Sequence, residues 1–161
     1  MELPKRKPLR MQGYDYSYPD MYFITICTDK KRALFWEENV GAVIGRPQKA
    51  PLNEHGKIVE TAIKNIPKHY PAYSVEHYVI MPDHVHLLMQ ISCDEDGRPM
   101  TAPTISAVIN QLKGSITKQI GYKVWQRSFY DHVIRNDADY SKHWDYIENN
   151  PALWFENKQV L

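Results

Sequence analysis

Apolar and polar positions alternate along some stretches of this chain and recur every three to four residues along others. The switches between the two periods mark its elements. Met21 to Thr28 reads as a strand rich in β-branched and aromatic residues, with Phe23, Thr25 and Cys27 on one face and Tyr22, Ile24 and Ile26 on the other. Both faces are largely apolar, which predicts a central strand covered on two sides. Residues 37–56 carry Gly41, Gly45, Pro47, Pro51 and Gly56 and read as a connecting excursion. From Lys57 to Lys68 the period becomes helical, with Ile58, Ala62 and Ile66 on one row and Val59 and Ile63 on the next. Two strands follow, Tyr73 to Met81 and His84 to Ile91, meeting at a Pro82-Asp83 turn. Residues 92–103 form an acidic loop. Thr104 caps a second helix whose stripe of Ile105, Val108, Ile109, Leu112, Ile116 and Ile120 ends at Gly121. Lys123 to Ile134 alternates as a fourth strand. Asn136-Asp137 starts a last helix, expected to end near Asn149 before Pro151, with a docking tail that carries Trp154 and Phe155.

The order strand, helix, strand, strand, helix, strand, helix is a split βαβ pattern. It folds most simply as an α+β, ferredoxin-like domain: a four-stranded antiparallel sheet with two helices on one face, plus the C-terminal helix. The first and third strands are then central. A length of 161 residues suits one domain with a core of its own.

Composition changes that picture in three ways. Two cysteines and a charged, proline-bearing start predict a reduced, cytoplasmic protein with no signal peptide. No apolar run approaches the roughly 18 residues of a membrane span. A net charge of only +1 leaves any nucleic-acid affinity to local patches. Such a patch opens the chain: Lys5, Arg6, Lys7 and Arg10, then Tyr14, Tyr16 and Tyr18, read as an arm that follows phosphates and stacks bases.

Candidate chemistry begins at the turn. His84 and His86 point to one side of their strand, with Cα atoms roughly 6.6 Å apart, and Val85, Leu87 and Met89 to the other. Two imidazoles at that spacing can bind one metal ion. The last helix holds a second signal. At about 100° per residue, Ile147, Tyr140 and Trp144 fall on its apolar side, whereas Tyr146 sits among Asp139, Lys142, His143, Asn149 and Asn150. Tyr146 is therefore no core tyrosine by pattern. An amide oxygen from Asn150 would complete a site with open positions, suited to Mg²⁺ or Mn²⁺ over a phosphate, although imidazoles equally accept zinc.

Met81-Pro82-Asp83-His84-Val85-His86, the block Trp125-Gln126-Arg127-Ser128-Phe129-Tyr130-Asp131-His132-Val133-Ile134-Arg135-Asn136 and the ending Tyr146-Ile147-Glu148-Asn149-Asn150-Pro151 together resemble the REP-associated tyrosine transposases. These are single-tyrosine enzymes of the HUH (His-hydrophobic-His) superfamily. Arg10, Tyr14, Tyr18 and the Tyr22–Thr28 strand fit as well, so the resemblance covers nearly the whole chain. It implies the ferredoxin-like fold and cleavage and rejoining of single-stranded DNA with palindromic hairpins. It also implies a bacterial, chromosome-associated setting, as monomer or homodimer. Carried over residue by residue, Tyr146 is the nucleophile that forms a 5′-phosphotyrosine, His84 and His86 are metal ligands, and Asn150 is the third ligand, where related enzymes have glutamine.

Lys5, Arg6, Arg10, Tyr14, Lys113, Lys118, Arg127 and Arg135 are candidate DNA contacts, and Lys142, His132 and His143 candidate accessory groups. Two other classes fit the same element order: a non-catalytic nucleic-acid-binding sheet, and a metal-dependent hydrolase that uses activated water.

Overall fold

The computed structural model describes residues 21–37, 51–92 and 104–159, the last five without their side chains. Strands β1 (Met21–Cys27), β2 (Tyr73–Ile80), β3 (His84–Ile91) and β4 (Tyr130–Val133) form one antiparallel sheet in the order β2-β3-β1-β4. With helices α1 (Glu54–Lys64) and α3 (Ile105–Ile120) as crossovers, this is the expected ferredoxin-like arrangement, with β1 and β3 central.

Each face of β1 has its own cover. Tyr22, Ile24 and Ile26 join Val85, Leu87 and Met89 in the core under α1 and α3, which bury Val59, Ile63, Val108, Ile109 and Ile116. Phe23 and Thr25 turn to the opposite face, where helix α4 (Asp137–Gln159) crosses β2 and β3. Burying a mid-sized apolar side chain contributes about 1.5–3 kcal/mol. That makes the α1/α3 face the main source of stability and leaves the α4 face free to carry polar groups.

The caps read from sequence hold: Thr104 Oγ1 accepts from the Ala107 amide, Gly121 closes α3 with a left-handed φ of 96°, and Asn136 Oδ1 accepts from Asp139 N. Four boundaries differ. The first helix begins at Glu54, capped by the Asn53 side chain on Gly56 N, and breaks at Asn65, after which the short α2 (Ile66–His69) carries Pro67 in its first turn. Gly56, expected in the connection, lies buried in that helix, because the Phe35 carbonyl occupies the space a Cβ would take. The strand expected over 123–134 pairs only as β4, preceded by a single bridge from Trp125 to Thr28. Alternation alone did not reveal that its first half leaves the sheet.

The last helix runs straight through Pro151 to Gln159. A proline inside a helix costs about 3 kcal/mol. Here Ile147, Asn150 and Pro151 are buried, and Trp154 packs with its ring 6.2 Å from Trp36, so tertiary contacts offset the loss. The tail is thus a helical continuation, and it does dock. The N-terminal arm, most of the 37–56 connection and nearly all of the acidic loop lie outside the described residues.

Two alanine substitutions test the packing with opposite signs. Gly114→Ala, in open space on α3, is expected to stabilise by about 0.5–1 kcal/mol. Gly56→Ala is expected to destabilise by about 1–3 kcal/mol despite the better helix propensity. Urea denaturation of both variants checks this; stabilisation by Gly56→Ala would mean the Phe35 carbonyl is not packed as described.

Candidate active site

Leaving the hairpin, β3 presents His84 and His86 on the α4 side, with ring centroids 4.7 Å apart. Each ring is held by its Nδ1. That of His84 donates to the Asp83 carboxylate at 2.6 Å, and that of His86 shares a 2.9 Å hydrogen bond with Thr25 Oγ1. The Thr25 contact follows from register, since Thr25 and His86 are direct partners across β1 and β3. Fixing both Nδ1 atoms directs both Nε2 atoms outward from their supports, as metal-binding histidines require.

His86 is 4% exposed, and its Nε2 is buried with no hydrogen-bond partner among the described residues. Leaving such an atom unsatisfied costs about 1–3 kcal/mol. A cation shared with His84 would satisfy it, so the donor set fits a divalent metal. Burial, reinforced by the charges of His84, Lys31 and His143, pushes the His86 pKa down from 6.5 to about 3. The ring is therefore neutral at any physiological pH, which is its coordinating form.

Tyr146 arrives from α4. Its ring lies 5.2 Å from that of His86 and 6.1 Å from that of Phe23, and the residue is 47% exposed. Next to it on the helix, Ile147 is buried and anchors the segment. Phe23 forms the floor, stacked on His86 at 5.1 Å and tilted against His143 at 4.6 Å. Asn150 is buried one turn after Tyr146, and its Nδ2 donates to the Tyr146 carbonyl at 3.3 Å, which orients the amide. At the far end, Trp154 comes within 6.4 Å of the His84 ring.

Beside this pair lies a second cluster. Asp139 accepts from the Arg135 amide at 3.1 Å and pairs with His132 Nε2 at 2.9 Å and His143 Nδ1 at 3.2 Å. The two imidazoles stack at 4.8 Å. Burial alone would raise the Asp139 pKa, but the bonds from His132 and the Arg135 amide hold it below the usual range. The cluster pins the first turns of α4 to β4 and so sets where Tyr146 lies.

Among the other candidates, Lys113 is corrected. It is buried, its Nζ donates to the Gln126 and Arg127 carbonyls, and burial lowers its pKa, so it ties α3 to the 123–129 segment and cannot meet DNA. Lys118 is exposed on α3, on the sheet's other side from Tyr146. Arg127 and Lys142 are exposed, and Arg135 is half-buried. Lys5, Arg6, Arg10 and Tyr14 lie outside the described residues. Phe23, Thr25, Asp83 and Asp139 had no assigned role from sequence. A signal for Thr25 existed in the shared face of Phe23, Thr25 and Cys27, once β1 is paired antiparallel with β3.

No family model matches the chain. Among curated proteins it is 29% identical over 153 residues to a putative REP-associated tyrosine transposase of Haemophilus influenzae, covering 86% of this chain and 73% of that one. It is 30% identical over 110 residues to the REP-associated tyrosine transposase of Escherichia coli, covering 68% of this chain and 62% of that one. A solved REP-associated tyrosine transposase bound to a REP hairpin superposes with a TM-score of 0.59 at 21% identity, over 89% of this chain and 72% of that one. That likeness shows a shared fold. No described helix is long and apolar enough to cross a membrane.

The depressed His86 pKa makes a stability prediction. In metal-free buffer the unfolded chain takes up this proton near pH 6.5, while the folded protein refuses it until about 3. The unfolded state binds more protons in between, so stability is full above about 6.5 and falls on acidification, by on the order of a few kcal/mol. Asp83 and Asp139 have lowered pKa values, so their contributions are present above the ordinary value of 3.8 and are lost below it. Urea titrations at about pH 6.5 to 4.5 should therefore show a slope that flattens in His86→Asn. Equal slopes would remove His86 as its cause.

Proposed function

We propose that the chain is a REP-associated tyrosine transposase, like the relatives it matches at 29–30% identity, and that it cuts and rejoins single-stranded DNA through Tyr146. The observation that carries this reading is the 5.2 Å approach of the Tyr146 ring to His86, whose buried Nε2 has no partner among the described residues. One chain supplies both halves of the site, which favours a self-contained centre working in cis.

In the proposed reaction the Tyr146 oxygen bonds to the scissile phosphorus while the bond from phosphorus to the 3′-oxygen breaks. The phenolic proton ends on the departing 3′-hydroxyl. The 5′-phosphotyrosine keeps the energy of the phosphodiester, so a second 3′-hydroxyl can displace Tyr146 without ATP. A Mg²⁺ or Mn²⁺ ion on His84, His86 and the Asn150 oxygen would orient the phosphate and offset charge on its oxygens. Asp83 and Thr25 position the two imidazoles, and Phe23 excludes water beneath them. His143, on the same helical side one turn before Tyr146, is a candidate proton carrier. For the DNA partner, we take a single strand bearing a palindromic hairpin; the structurally similar transposase is bound to a REP hairpin.

Tyr146→Phe is expected to abolish covalent attachment to a labelled hairpin oligonucleotide in Mn²⁺ while leaving DNA binding nearly unchanged. An adduct with that variant would reject Tyr146 as nucleophile. His84→Ala combined with His86→Ala is expected to remove metal-dependent cleavage, and cleavage that persists would place the metal elsewhere. Binding without any cleavage by the wild-type protein would favour the non-catalytic class.

A further inference from the structure

Tyr130 is 74% exposed, more than Tyr122, Tyr146 or Leu153, the other exposed large hydrophobics among the described residues. Its position is informative. Tyr130 pairs with Thr25, and Thr25 pairs with His86, so all three side chains occupy one face of the sheet. The next residue of β4 on that face, His132, pairs with Phe23 and is covered from α4 by Asp139 and His143. Helix α4 starts over β4 and crosses toward β2, where Trp144 stacks on His77 at 4.2 Å. Tyr130 is thus the residue of the β4 face that this helix leaves uncovered, on the edge strand, roughly 10 Å (two strand spacings) from His86.

We propose that Tyr130 is a base-stacking platform for the single strand, holding the nucleobase next to the phosphate that Tyr146 attacks. This deepens the reading above and rests on it. A phenol ring open on its faces offers a nucleobase a π-surface that tolerates any base. The surroundings supply the phosphate contacts such a platform needs. Lys31 is exposed just after β1, with its Nζ 3.2 Å from Cys27 Sγ, the partner of His84 across the strands. A left-handed backbone at both Lys30 and Lys31, with φ of 56° and 55°, sets this turn, an uncommon conformation for side chains of this kind. Arg127 is exposed three residues before Tyr130, at the same end of the sheet as the Trp125–Thr28 bridge. The DNA strand would run over the edge strand β4 between these cations and enter the site beside Thr25.

The test uses the full-length protein in EDTA and a hairpin oligonucleotide with 2-aminopurine placed in turn at each single-stranded position. Binding is expected to quench one position, with Tyr130→Phe retaining the quench and Tyr130→Ala and Tyr130→Leu losing it. Removing the ring is expected to weaken binding by about fivefold to a hundredfold. Wild-type quenching and affinity in Tyr130→Ala would overturn the stacking role while leaving the transposase reading intact. Loss of quenching in Tyr130→Phe as well would assign the effect to the hydroxyl and overturn it too. A dimer that Tyr130→Ala dissolves, with DNA affinity unchanged, would identify a protein contact instead. If the wild-type protein neither binds the oligonucleotide nor forms an adduct, both readings fall together.

Discussion

The pairing register of β1 with β3 is the constraint on which the rest depends. Cys27 opposite His84 and Thr25 opposite His86 put both histidines on the side that α4 covers, and leave Val85, Leu87 and Met89 in the main core. Strand geometry has a period of two, so a slip by one residue would exchange these sets. The same slip would bury two imidazoles under α1 and α3 and take Thr25 away from His86. Core packing and site assembly are therefore one decision. The apolar side of β3 supplies the energy that keeps the polar side in place.

A buried imidazole with one satisfied nitrogen is costly for a fold that gains nothing from it. The protein concentrates such groups here. His86 loses its charge to burial, Asp83 keeps its own through His84, and Asp139 keeps its own through His132 and a backbone amide. A neutral His86 beside held carboxylates makes the α4 side of the sheet selective in charge, not merely polar. It also couples helix position to chemistry: the Asp139 cluster anchors the start of α4, Ile147 its middle and Trp154 its far end, with Tyr146 between. Three anchors make the reach of Tyr146 over His86 a property of the helix as a rigid body.

Much of this was legible from residue order. Element types followed from period changes, the topology from their order, and the common face of His84 and His86 from alternation. The cap residues Thr104, Gly121 and Asn136 acted as their side chains and backbone freedom predict. The boundaries that failed were those set by long-range contacts. Pro151 reads locally as a stop, but Trp36 and His84 lie where Trp154 can reach them. Lys113 reads as a surface cation on a helix, yet two carbonyls from the 123–129 segment draw its ammonium inward. Neither contact leaves a periodic trace in the chain.

By itself, the sequence determined the folding class and the pairing of faces, and it held Tyr146 off the apolar stripe of its helix. Those properties depend on neighbours within a few residues, through alternation, helical period and capping. Only tertiary structure decided that Tyr146 lies over His86, that Thr25 and Asp83 orient the two rings, and that Tyr130 stays uncovered at the sheet edge. Each of those depends on where α4 crosses the sheet. That crossing is set by Asp139, Ile147 and Trp154 meeting partners many residues away, which local pattern cannot specify.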